Sequence, residues 1–169
     1  LEVKGAKEVA IEFHSLSKSF NMTGWRIGMA VGNVDAIGAL GTIKTNVDSG
    51  IFKAIQEAGV VALTTPCPQI EEMNSLYAKR RDVLTQGLNS LGWSLRPIQA
   101  TFYVWAPVPK GYTSAEFCTK LLEECGVIVV PGNGYGSEGE GYFRLALTES
   151  EARISEVLGR LKEKNIQYK

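Results

Sequence analysis

Ser15-Leu16-Ser17-Lys18-Ser19-Phe20-Asn21-Met22-Thr23-Gly24-Trp25-Arg26-Ile27-Gly28 sets one lysine among small and hydroxyl-bearing residues and places an arginine eight positions later. Upstream, Glu8 to Phe13 (EVAIEF) alternates as a half-buried strand does, and downstream Ile27 to Val31 (IGMAV) reads as a strand buried on both faces. Between them, Gly24 turns a connection with room for a ligand. A lysine at the end of a buried strand is oddly placed for a surface charge. Burial disfavours the ammonium form, and a neutral amine is what Schiff-base chemistry with an aldehyde requires. Ser15 and Ser17 add hydroxyl donors, and Arg26 adds a guanidinium that can grip a phosphate bidentately. Residue types alone equally allow Lys18 to snorkel from a strand end and Arg26 to make an ordinary ion pair.

Working outward, apolar positions recur at helical spacing from Val34 to Leu40 and from Ile51 to Leu63, with Asp48 and Ser49 placed to cap the second helix. Pro66 and Pro68 open a longer helix whose stripe is Ile70, Met73, Leu76, Tyr77, Leu84, Leu88 and Leu91, ended by Gly92. Its charged run Lys79, Arg80, Arg81, Asp82 is expected on the solvated face. A helix of roughly 24 residues spans about 36 Å, enough to join two domains, so the domain boundary belongs on it. The remainder reads as strand (101–106), helix (115–125), strand (127–130), glycine-rich loop, strand (142–147) and helix (149–162), with Thr148 and Glu151 as a capping box for the last. Strands alternating with helices imply a two-layer α/β unit.

The 169 residues carry 18 basic and 18 acidic side chains and no block of like charge, which leaves no electrostatic footprint for nucleic acid or an anionic membrane. No apolar run reaches the roughly 20 residues of a membrane helix, and LEVKGAKEVAIEF lacks the regions of a signal peptide, so a cytoplasmic setting is expected. Cys67, Cys118 and Cys125 show no CxxC pairing and are expected as buried thiols; the single histidine, His14, is expected as a polar packing residue, and no metal site is expected.

Position by position, the Ser15 to Gly28 stretch resembles the signature around the cofactor lysine of class I and II aminotransferases, which are fold-type I pyridoxal phosphate enzymes. The resemblance runs on through IQEAGVVAL, ATFYVWAPVP, VVPGNGYG and GYFRLAL. It implies pyridoxal 5'-phosphate as cofactor and Lys18 as the catalytic residue that forms the Schiff base, with the phosphate bound by Ser15, Ser17 and Arg26. Arg144 falls at the position of the arginine that holds the substrate α-carboxylate. The implied reaction transfers an amino group between an amino acid and a 2-oxo acid, in an enzyme expected as a homodimer. KTNVDSGIFKAIQEAG most resembles LL-diaminopimelate aminotransferases and their aspartate-aminotransferase-like relatives.

The fold implied is α/β, the C-terminal portion of the fold-type I transferase: residues 1–65 as the end of the large cofactor-binding domain, 66–92 as the connecting helix and 93–169 as the small α/β domain. Family members carry a phosphate-binding loop, a ring-stacking aromatic and an aspartate for the pyridinium nitrogen upstream of the lysine. None of these can be placed in the 17 residues before Lys18, so the chain is expected to be inactive alone. A competing reading takes Gly132, Gly134 and Gly136 as the loop of a non-catalytic nucleotide-binding or regulatory module. That motif needs its glycine turn to open a helix, whereas Gly139 and Gly141 here lead toward the strand YFRLAL.

Overall fold

Strand β1 (Ile11–Ser15) pairs antiparallel with β2 (Gly28–Gly32), Phe13 facing Ala30 and Ser15 facing Gly28. In the computed structural model, which describes residues 1–169, this ribbon belongs to the first of two compact units, Leu1–Glu71 and Glu72–Lys169. The strand expected from Glu8 begins later. Gly5 turns the chain at φ 84°, the helix formers Ala6, Lys7 and Glu8 wind one turn, α1 (Ala6–Val9), and the Ala10 N–H closes it on the Ala6 carbonyl. Burial of β2 on both faces is also corrected: Met29 and Val31 stay exposed, because a two-stranded ribbon has no third strand or pair of covering layers in this unit.

Helix α3 (Val34–Val47) runs a full two turns beyond the expected end and is capped by Asn33, whose side-chain oxygen accepts from the Ala36 N–H at 2.9 Å. None of its residues is buried. Helix α4 (Lys53–Thr64) starts after Phe52 without a side-chain cap. Asp48, expected to cap it, instead ends α3 and pairs with Lys44 one turn back at 2.7 Å.

Helix α5 (Pro68–Ser90) follows the expected stripe most closely near its end, where Leu84 and Leu88, with Leu91 just beyond, are buried. The chain leaves it through Gly92 at φ 100°, where a Cβ would stand 2.5 Å from the Tyr168 carbonyl oxygen. In the charged run Arg80 and Arg81 are not simply solvated: they donate to the carbonyls of Leu147 (3.0 Å) and Ile98 (3.1 Å). Long stems allow both to lie along apolar surface with their heads on backbone acceptors.

The second unit holds a three-stranded antiparallel sheet in the order β3 (Tyr103–Pro107), β5 (Tyr142–Ala146), β4 (Val130–Pro131). Pairing replaces the expected strand 127–130 with only two residues, since Val127 instead turns back to donate to Leu121 at the end of α6 (Ser114–Cys125). One sheet face carries Val104, Ala106, Phe143 and Leu145 into a core with Phe117 and Leu121 of α6 and Ile154 and Leu161 of α7 (Glu151–Glu163). Trp93 closes that core, its indole N–H donating to the Pro107 carbonyl at 2.9 Å.

The capping box lies on α6, not α7. Thr113 Oγ1 accepts from the Glu116 N–H while Glu116 accepts from the Thr113 N–H; Ser150, not Thr148, caps α7. Cys125 is buried, Cys118 half-buried and Cys67 exposed, which corrects the expectation of three buried thiols; Cys67 immediately precedes α5. His14 is exposed and pairs with Glu12 at 2.9 Å, so it is a surface residue and no packing one. No helix is long and apolar enough to cross a membrane.

Candidate active site

Lys18 stands on a single helical turn, α2 (Leu16–Ser19), that begins as β1 ends. Ser15 caps the turn, its Oγ accepting from the Ser17 N–H at 3.2 Å. Two buried apolar side chains, Leu16 and Met22, anchor the connection from below. Thr23 Oγ1 donates to the Ser17 carbonyl at 3.0 Å, and Leu16 N–H donates to the Ile27 carbonyl at 3.2 Å, which closes the loop at its base. Arg26 adopts φ 53°, a left-handed conformation uncommon for a non-glycine residue, and one guanidinium N–H donates to the Thr23 carbonyl at 3.0 Å. Such a conformation in a ligand loop is often the mark of a position fixed by function.

Within this chain Lys18 is exposed, as are Ser15 and Arg26, while Ser17 is buried. The expected buried strand end is therefore corrected: β1 becomes exposed toward Ser15 because nothing in the first unit covers that end of the ribbon. From residue 13 to residue 34 the sequence holds no carboxylate. Beside the loop an apolar groove of about 340 Å³ is lined by Leu16, Ile27 and Met29 and by Ile51, Val60 and Leu63 of the α4 region. Gly59 lets α4 approach: a Cβ there would meet the Ile27 side chain at 2.6 Å. A primary amine, two hydroxyls and a guanidinium without carboxylates form a donor set suited to an aldehyde-bearing phosphate ester, so the residues present fit pyridoxal 5'-phosphate.

In the second unit, Arg144 lies half-buried on the central strand β5, directly across from Trp105 of β3 and Val130 of β4. Its guanidinium carbon is 4.0 Å from the centre of the Tyr103 ring and 4.6 Å from that of Tyr135. It makes no ion pair and no hydrogen bond, which leaves the N–H fork open to an anion. Tyr103 and Tyr135 were not singled out in the sequence. The readable signal was period-two alternation, which puts Tyr103, Trp105, Tyr142 and Arg144 on the face opposite the core.

The glycine-rich segment folds as two short 3₁₀ turns, Gly132–Tyr135 and Ser137–Gly139, and runs into β5 rather than into a helix. Gly132 and Gly139 press backbone on backbone, a Cβ on either meeting the other's carbonyl oxygen at about 2 Å. A pyrophosphate would find no helix N-terminus here, which removes the nucleotide-binding alternative. Glu140 fastens the loop to α6 instead: its carboxylate accepts from the Ser114 N–H at 2.7 Å, and Ser114 Oγ accepts from the Gly141 and Tyr142 N–H groups. The hydrogen bond from the Ser114 N–H, above all, holds the Glu140 carboxyl below its ordinary range.

The mixed α/β fold matches the C-terminal part of fold-type I aminotransferases. The chain belongs to the aminotransferase class I and II family, whose model matches residues 1–161. It is 57% identical over 168 residues to "LL-diaminopimelate aminotransferase 2" of a Nostoc species, covering 99% of this chain and 43% of that protein. To "LL-diaminopimelate aminotransferase" of Halothermothrix orenii it is 59% identical, covering all of this chain and again 43% of the relative. Among solved structures, an aminotransferase from Staphylococcus aureus superposes with a TM-score of 0.89 at 36% identity, over 96% of this chain and 43% of that one. A probable N-succinyldiaminopimelate aminotransferase from Thermus thermophilus matches equally well, with a TM-score of 0.89 at 35% identity, over 95% and 43%. The chain thus spans less than half the length of the relatives it matches.

Proposed function

We propose that the full-length protein carrying this chain is a pyridoxal 5'-phosphate-dependent aminotransferase that moves an amino group from LL-diaminopimelate to a 2-oxo acid. One observation carries the reading: a lysine, two serines and an arginine gathered in a 12-residue loop without a carboxylate. The diaminopimelate assignment rests on relatives at 57–59% identity that bear that name. In this reading residues 1–65 end a large cofactor-binding domain, 66–92 connect and 93–169 form a small domain, in a cytoplasmic homodimer.

When bound, the cofactor supplies an aldehyde and an electron-withdrawing ring that lowers the cost of a carbanion. The Ser15 and Ser17 hydroxyls and the Arg26 guanidinium would hold its phosphate. Lys18 Nζ would hold the cofactor at its aldehyde and would move the proton at the substrate Cα as a positioned base. Arg144 would receive the substrate α-carboxylate in its fork.

The test is turnover of the full-length protein with LL-diaminopimelate, aspartate, glutamate and aromatic amino acids as donors, 2-oxoglutarate being the acceptor. The expected outcome is a kcat/KM for LL-diaminopimelate at least about tenfold above the others. A higher value for aspartate or an aromatic donor would refute the substrate, and no turnover with any donor would refute the reaction.

A further inference from the structure

The geometry points to Tyr103 and Tyr135 as positioning residues that hold the Arg144 guanidinium ready for a carboxylate. The inference rests on the reading of Arg144 as the carboxylate-binding arginine and goes beyond it by naming what orients that arginine. A half-buried guanidinium with no acidic partner is costly to leave unpaired, and an arginine on a sheet face ordinarily finds a carboxylate. Arg144 instead lies within 4.0 Å and 4.6 Å of two tyrosine ring centres. Ring faces carry partial negative charge and attract the cation without occupying its in-plane N–H groups, so the fork stays available. A carboxylate partner would occupy the fork and compete with substrate.

Both rings are themselves held. Tyr103 packs on Phe102 with ring centres 4.5 Å apart, and Phe102 stacks on Tyr77 of α5 at 5.3 Å. Tyr135 meets Trp105 edge to face at 5.7 Å, and Trp105 stacks on Tyr142 at 5.8 Å. The turn that presents Tyr135 is fixed by the close approach of Gly132 and Gly139 and by the grip of Glu140 on Ser114. Two rings supported in this way restrict the side-chain motion that carboxylate binding would otherwise have to arrest.

The experiment uses the full-length holo-protein and succinate, a carboxylate that cannot be transaminated, with its Kd measured by calorimetry beside KM and kcat for the amino donor. Tyr135→Ala and Tyr103→Ala are each expected to raise the succinate Kd and the donor KM by about tenfold, with kcat changed less than threefold and the cofactor retained. Tyr135→Phe and Tyr103→Phe keep the ring face and are expected within twofold of wild type. Tyr135→Leu keeps bulk without a π face and is expected to match the alanine variant, so a loss of packing is separated from a loss of the ring. Arg144→Ala is the control. If it weakens succinate while both alanine variants bind within twofold of wild type, or if Tyr135→Leu equals Tyr135→Phe, the positioning role is overturned and the reading of Arg144 survives. If Arg144→Ala leaves succinate binding unchanged, the reading of Arg144 falls and this inference with it.

Discussion

The two units differ in how far each completes its own interior. In Leu1–Glu71 the buried apolar side chains are Leu16 and Met22, both under the Lys18 loop, while Phe13, Val34, Val47 and Phe52 lie more than 70% exposed. In Glu72–Lys169 a continuous core runs from Leu84 through Trp93, Phe117 and Phe143 to Ile166. The unit bearing Arg144 carries its own hydrophobic support, whereas the unit bearing Lys18 holds its loop locally and leaves most of its apolar side chains exposed.

The largest effect should separate this chain from the full-length protein. Residues 1–169 with excess pyridoxal 5'-phosphate are expected to yield no keto acid from LL-diaminopimelate, because Lys18 is exposed here and no carboxylate from residue 13 to 34 can hold a pyridinium nitrogen. Turnover near that of the full-length protein would erase the distinction between the two units. In the full-length protein, Lys18→Ala should lower kcat by roughly 10²- to 10⁴-fold, the scale of a lost proton-transfer group, measured by single-turnover kinetics.

Core and surface phenylalanines sharpen the comparison next. Phe143→Ala is expected to cost about 3–5 kcal/mol of stability by urea unfolding, as for a fully buried aromatic. Phe13→Ala in the 169-residue chain should cost less than about 0.5 kcal/mol, and clearly more in the full-length protein if that face becomes covered. Equal costs for Phe13→Ala in both contexts would show that the exposed face stays bare.

Arg144→Ala in the full-length protein should leave cofactor bound and lower kcat/KM for amino donors by about 2–4 kcal/mol, whereas Arg26→Ala should chiefly weaken cofactor retention. Loss of cofactor in both would put the two arginines in one role. The smallest effect is on pH. Glu140 sits below the ordinary 4.5 because it accepts backbone hydrogen bonds when folded, so its stabilisation is present above that value and is lost as pH falls through the folded pKa. Glu140→Gln should therefore narrow its stability gap from wild type as pH drops from 5 toward 3, read from urea midpoints. A gap that widens on acidification would contradict the sign.

What was legible in the sequence follows the range of the interactions involved. Helices with long periodic stripes, such as α5 and α6, could be read, because burial of one face is written every three to four residues. Strand positions in the first unit could not: EVAIEF alternates, yet Gly5 and three helix formers divert its first half into α1. The cap of α7 is ambiguous in sequence, where Thr148 and Ser150 both stand ahead of the helix, and only the backbone geometry chooses Ser150. Ser15, Ser17, Lys18 and Arg26 lie in one continuous stretch and were found together. Alternation marks the face that Tyr103 and Arg144 share, but their contact depends on sheet register, and that of Tyr135 with Arg144 on a folded loop, neither of which a local pattern displays.

The central claim is that Lys18 is the amine that takes the cofactor, and it can be tested in one step. Borohydride reduction of the full-length holo-protein, followed by proteolysis and mass mapping, should place the reduced pyridoxyl group on the peptide containing Ser15 to Arg26, at Lys18. A label on any other lysine, with Lys18 unmodified, would contradict the account.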